Sequence, residues 1–171
     1  LGFPGGRVID GLAREGDPRA IGFPRACVRG RPYDFSFSGL KTALREYLGG
    51  SRRHVRPDGR ARGEAELSHA ELRDVAASFQ EAVVDMLVGP TLAAAEELRV
   101  SRIVVSGGVS ANSRLRARMS AEGAARGVEV FVPSVRFCTD NAAMIAFAAA
   151  RKLERGERSP LDVNAAASLP L

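Results

Sequence analysis

The chain has 171 residues, of which 45% are hydrophobic and 26% charged, and its formal net charge is +5. That profile suits a globular domain with a real core; it excludes disorder over the whole length and, with no run near about 18 apolar residues, an integral membrane protein. Two cysteines, Cys27 and Cys138, cannot build a disulfide framework, so reduced thiols in a cytosol are expected.

Leu1 to Gly6 is no signal peptide, and Gly2 to Gly6 is expected to form a glycine-rich turn. Starting on Leu rather than Met, it is expected to lie inside a longer sequence. Val8 to Arg14 has helical spacing (Val8, Ile9, Leu12, Ala13), stopped by Gly16-Asp17-Pro18. Ile21 to Val28 is short and apolar, interrupted by Pro24. Tyr33 to Phe37 alternates aromatics with Asp34 and Ser36, which predicts a strand. Leu40 to Leu48 reads as a helix with Ser38 as its N-cap. Gly49 to Gly63 lacks periodicity and carries Arg52, Arg53, Arg56, Arg60 and Arg62 against Asp58; the region 49–68 is expected to be a mobile basic loop. A solvated loop and a phosphate-backbone contact both fit it.

Glu71 to Val88 is the clearest amphipathic helix, with Leu72, Val75, Ala76, Phe79, Val83, Met86 and Leu87 on one face. Gly89-Pro90 should end or kink it, with a second helix over Thr91 to Leu98. Arg102 to Val105 predicts a β-branched strand, followed by Gly107-Gly108 and a helix from Ser110–Asn112 to Arg126, closed by Gly127. Val128 to Val132 predicts a second strand, and Asn141 to Leu153 an alanine-rich helix suited to close packing. Residues 156–171 read as a loosely ordered tail. The order strand, helix, strand, helix predicts a parallel pair in an α/β domain whose sheet is flanked by helices on both faces.

Four positions stand out chemically. Asn112 heads a helix after a strand and two glycines, a place where free backbone N–H groups suit an adenylate; a plain N-cap explains it as well. Asp140 sits at a strand-to-helix junction, where α/β folds gather ligands. It reads either as a carboxylate facing a metal or cleft or as an acidic residue favoured by the helix dipole, and a carboxylate does not choose a metal. Gly6 and Asp10 pair a glycine that allows close approach with a carboxylate one turn later, able to accept hydrogen bonds from ribose hydroxyls; a turn and a solvent-facing aspartate is the alternative. His54 and His69 match no metal-ligand spacing and read as surface residues, and the cysteines form no CxxC pair. There is no GxSxG and no P-loop lysine motif.

Five segments occur in order: Pro4-Gly5-Gly6; Phe35-Ser36-Phe37-Ser38-Gly39-Leu40-Lys41-Thr42-Ala43; Ala77-Ser78-Phe79-Gln80-Glu81-Ala82-Val83-Val84-Asp85; Gly107-Gly108-Val109-Ser110-Ala111-Asn112; and Cys138-Thr139-Asp140-Asn141-Ala142-Ala143-Met144-Ile145. Together they make the chain, over roughly Leu1 to Arg155, resemble the C-terminal half of the TsaD family of tRNA N6-adenosine threonylcarbamoyltransferases, formerly called glycoproteases. The resemblance implies an actin/hexokinase-like (ASKHA) lobe over 1–155, with the N-terminal lobe largely missing and a loose tail over 156–171. It implies that Asp140 binds a divalent metal, iron or zinc, that Asn112 binds the adenylate, and that Gly6 and Asp10 bind near the ribose. The implied reaction moves a threonylcarbamoyl group from threonylcarbamoyl-AMP to the exocyclic amine of an adenosine beside the tRNA anticodon, with AMP leaving. Implied too are partner subunits of a modification complex and a cytoplasmic location.

The departures predict an incomplete site. The family's HxxxH metal motif is absent, Arg7 stands where proline usually follows Gly6, and Gly89-Pro90 interrupts a helix expected to run on. The isolated chain is therefore expected to lack transferase activity, and its uncovered cleft face to promote self-association. A non-catalytic ASKHA binding module and an ATP-handling ASKHA phosphotransferase are the competing readings.

Overall fold

The structure is a computed structural model and describes residues 5–48, 67–162 and 164. In chain order it comprises α1 (Gly5–Ala13), α2 (Ser38–Leu48), α3 (His69–Glu97), β1 (Arg102–Val104), a 3-10 turn (Gly108–Ala111), α4 (Ser113–Ala125), β2 (Glu129–Phe131), a 3-10 turn (Val135–Phe137) and α5 (Ala142–Glu154). The basic segment up to residue 66, His54 and the end of the tail lie outside the described residues.

α3 organises the molecule. Its start is specified locally: the Ser68 side chain accepts from the Glu71 N–H while the Glu71 carboxylate accepts from the Ser68 N–H, a reciprocal cap that satisfies two otherwise orphaned donors. The helix then buries residues on two faces. One face supplies Val84, Val88 and Leu92 to a cluster with Leu115 and Met119 of α4, against which Ile103, Val105 and Val130 pack. The other supplies Ala82 and Met86 to a cluster with Phe23 and Leu40, joined by Phe79, Val83, Phe37 and Tyr47. α3 does not end at Gly89-Pro90: it is one helix of 29 residues with Pro90 inside, and the second helix expected over Thr91 to Leu98 is its continuation. A proline in a helix interior costs about 3 kcal/mol. Val88 and Leu92, both fully buried on either side of it, offset that, since burying each such side chain is worth about 1.5–3 kcal/mol.

The segment before α2 is not the predicted strand. Residues 34–37 are irregular, and the one bridge nearby joins Val28 to Arg31. Among the described residues no neighbouring strand offers the backbone a ladder. The aromatic alternation is used instead for packing: Phe35 and Phe37 stack with centroids 6.5 Å apart, and Phe37 rests on the second cluster. In that cluster Phe23 meets Tyr47 and Phe79 edge-on at 6.0 and 6.1 Å. Ser38 is the first residue of α2 rather than a residue ahead of it. Buried Ser78 of α3 holds the 17–21 turn, accepting from the Ile21 N–H at 3.1 Å and donating to the Asp17 carbonyl at 3.0 Å. Gly16 lies so close to α3 that a Cβ there would come within 2.2 Å of the Arg73 carbonyl oxygen, so the contact requires glycine.

β1 and β2 pair in parallel, with Arg102 opposite Glu129, Ile103 opposite Val130 and Val104 opposite Phe131. This is the predicted α/β arrangement, and α4 ends as expected before Gly127. The two-sided covering is not present among the described residues. Ile103 and Val130 face α3 and α4, whereas Val104 is 72% and Phe131 46% exposed. α5 also departs from expectation. It contains no buried residue, and Ile145 and Phe147 are 73% and 65% exposed. Among the described residues none of its alanines is buried against another helix.

Candidate functional site

The candidate residues gather where α1 meets the start of α4. After β1 the chain turns at Gly107, whose φ of +89° is unfavourable for other residues, runs through the 3-10 turn, and enters α4 at Asn112. Asn112 is the N-cap: its Oδ1 accepts from the Leu115 N–H at 2.9 Å. Its Nδ2 donates to Gln80 Oε1 at 2.6 Å, and Gln80 is buried in α3. Both ends of the Asn112 amide are thus fixed, and the residue seats α4 on α3.

Asp10 reaches the same turn from α1. Its Oδ1 accepts from the Ser113 N–H at 3.1 Å and the Ser113 hydroxyl at 2.8 Å, and Oδ2 pairs with Arg14 at 3.2 Å. A carboxylate at a helix N-terminus is favoured by the free N–H groups and the helix dipole. The expected glycine turn before it is helix from Gly5 onward. Gly6 therefore sits in the first turn of α1, exposed, with nothing within 4 Å of where a Cβ would stand.

Between α1 and α4 lies a groove of about 800 Å³, lined by Arg7, Asp10, Arg14, Ser113, Arg116 and Val135 among others. Three arginines against one aspartate make it electropositive, which suits an anionic ligand. Asp10 is the one sequence-selected residue in its wall; Gly6, Asn112 and Asp140 do not line it. Asp140 follows the second 3-10 turn and is exposed. It is not the cap of α5. Asn141 is, its Oδ1 accepting from the Met144 N–H at 3.1 Å.

An ion-pair lattice locks the adjoining faces of α3 and α4. Arg114 grips Glu81 with two hydrogen bonds at 2.7 and 2.9 Å, and Arg118 contacts Glu81, Asp85 and Glu122. The hydrogen bond from Arg114 holds the Glu81 carboxyl below its ordinary range. Burial pushes Asp85 up, but hydrogen bonds from Arg118 and Arg25 outweigh it and the net direction is down. Arg118, though partly desolvated, is pushed further up by Asp85 and Glu122.

No group of three or more His, Cys, Asp or Glu side chains able to hold a metal exists among the described residues. Asp140 alone does not make a metal site, because tight sites gather three or more protein ligands. Gln80, Ser113 and Arg116 escaped the sequence reading. Gln80 lies in the Ala77 to Asp85 segment, and Arg116 is one turn beyond Asn112, so helical spacing from the cap was the available signal. No described helix is long and apolar enough to cross a membrane.

Fold and groove define an α/β domain with a polar site at its strand-to-helix turns, where such folds take their ligands. Comparison with known proteins narrows the class. The family model described as TsaD: tRNA N6-adenosine threonylcarbamoyltransferase matches residues 1–147, and the chain belongs to that family. It is similar to the tRNA N6-adenosine threonylcarbamoyltransferase of Anaeromyxobacter dehalogenans, 51% identical over 166 residues, covering 96% of this chain and 46% of the relative. The enzymes of the same name from Syntrophotalea carbinolica and Moorella thermoacetica are each 47% identical over 171 residues, covering 100% of this chain and 46% of theirs. The chain thus spans about half the length of the curated relatives it matches.

Proposed function

We propose that the chain serves tRNA modification as one part of a threonylcarbamoyltransferase. It contributes to moving a threonylcarbamoyl group from threonylcarbamoyl-AMP to the exocyclic amine of the adenosine beside the anticodon, with AMP as the leaving group. The family match over residues 1–147 carries this reading. The electropositive groove beside Asp10 supports it, because an adenylate brings a phosphate to the arginines and ribose hydroxyls to a carboxylate.

In this reading residues 1–155 form the C-terminal lobe of an ASKHA-type protein, with 156–171 as a tail and the arginine-rich 49–68 segment available to a tRNA backbone. Asp10, Gly6 and Asn112 belong to the substrate site: Asp10 toward the ribose, Gly6 as an open approach, Asn112 as the fixed cap that holds the groove's α4 side in place. Asp140 supplies one ligand to a divalent metal, iron or zinc, whose other ligands come from outside the described residues; bound there, the metal would contribute charge stabilisation. What these residues do by themselves is bind and orient, so the half-site positions an adenylate without driving transfer. The setting is the cytoplasm, with further subunits of a modification complex.

Two measurements test this. Equilibrium binding of AMP to the full chain should be detectable and should weaken in Asp10→Ala; a wild-type chain that binds no AMP at millimolar concentration defeats the adenylate reading. A transfer assay with threonylcarbamoyl-AMP and tRNA should give no turnover from this chain alone, and robust turnover would overturn the incomplete-site reading.

A further inference from the structure

Arg116 joins three segments of the site. It lines the α1–α4 groove, stands one turn inside α4, and its guanidinium reaches the loop that precedes Asp140. Nη1 donates to the Ser110 carbonyl at 3.0 Å and lies 3.6 Å from Cys138 Sγ; Nη2 donates to the Pro133 carbonyl at 2.7 Å. It meets no carboxylate among the described residues, unlike Arg114 and Arg118 on the same helix. A half-buried charge satisfied only by backbone carbonyls and a thiol is not there for ion-pair energy. Its planar fork instead fixes several acceptors at once, which a lysine cannot do.

What it fixes is the last buried point before Asp140. Cys138 is buried, its thiol lies 3.8 and 3.6 Å from the Pro133 and Ser134 carbonyls, and its N–H donates to Val135 at 3.1 Å, so the 133–138 loop closes around it. Beyond Cys138, Thr139 and Asp140 are exposed and α5 buries nothing. We propose that Arg116 is a positioning residue: its guanidinium pins the 133–138 loop to the turn that ends in Asn112, and so sets where Asp140 stands relative to that turn. The relevance of Asp140 rests on the transferase reading; the clamp does not.

The protein carries its own reporters, because Cys27 is exposed and Cys138 is buried. Alkylation by iodoacetamide at fixed pH, read by mass spectrometry, gives the Cys138 rate relative to Cys27 in the same molecule. In Arg116→Met the ratio should rise about tenfold or more, as the loss of hydrogen bonds from a charged donor implies. The rise should be nearly independent of urea, which marks local opening rather than global unfolding. Exchange of the Cys138 amide should rise with it. Arg116→Lys, which keeps the charge and the stem, should fall between the two and carries the test if the Met variant does not fold. An unchanged ratio in Arg116→Met overturns the clamp, as does Arg116→Lys as protected as wild type. So does a rise that tracks global unfolding in urea, which is lost stability alone. None of these readouts needs ligand or turnover, so a failed transfer assay and a failed clamp remain distinguishable.

Discussion

α3 and α5 are both helices rich in alanine and branched apolar residues, yet they live in opposite surroundings. α3 buries eleven of its side chains on two sides and carries a proline without breaking. α5 is 13 residues long, lacks proline, and buries none. The difference shows that tertiary contacts, and not local propensity, decide how much sequence irregularity a helix tolerates. It also shows what holds a helix that buries no side chain among the described residues. α5 rests on its Asn141 cap, and on basic residues Arg151 and Lys152 in its last turn, which complement the helix dipole. Isolated helices of this length are marginal in water, so α5 should be the least protected element.

That contrast can be tested by ranking perturbations. Leu92→Ala, beyond Pro90 on the buried face, should cost about 2–5 kcal/mol in urea unfolding; a loss below about 1 kcal/mol would mean that α3 is not one cooperative unit across the proline. Acidification should come next. Glu81 and Asp85 both have carboxyls held below their ordinary values, so their contribution is complete above the ordinary carboxylate range and is lost as pH falls through it and below. Thermal melts from pH 6 downward should show that decline, and Glu81→Gln should flatten it. Asn141→Ala should remove about 1 kcal/mol from α5 alone, seen as faster amide exchange over 142–146 with an unchanged global midpoint. Phe147→Ser should leave the monomer's unfolding free energy within about 0.5 kcal/mol of wild type, because the ring is largely exposed and its cation–π partner, Arg151 at 5.2 Å, lies on the same exposed helix. A large loss there would mean that α5 docks on something in solution. Sedimentation at rising concentration would show whether that is a second copy.

How far the sequence could be read follows the same division. Periodicity found α3, α4, both strands and their parallel order, because each is backed by burial on a definite face. Of the two outcomes it allowed at Gly89-Pro90, an end or a kink, the end does not occur, because Val88 and Leu92 pack on a distant strand pair and α4. It misjudged Tyr33–Phe37, because alternation gives a strand only where a partner backbone exists, and here the aromatics found a cluster instead. At the site, Asp10 and Asn112 were recognised as residue types and neighbours of glycine. Their actual bonds, to Ser113 and Gln80, join residues 103 and 32 positions apart, which no local pattern encodes. For Arg116, helical spacing from the Asn112 cap marks the position but not the role, because its acceptors are backbone carbonyls and a thiol that no spacing encodes.

The paired strands leave a further consequence. Among the described residues β1 and β2 form a ribbon of two, so neither is interior and each keeps one row of amide and carbonyl groups without a ladder. Such rims are templates for a visiting strand. At three residues each, however, they present only about 10 Å of template. An extended segment added there would gain very few rungs, and its capture would depend on how well its side chains met Val104 and Phe131.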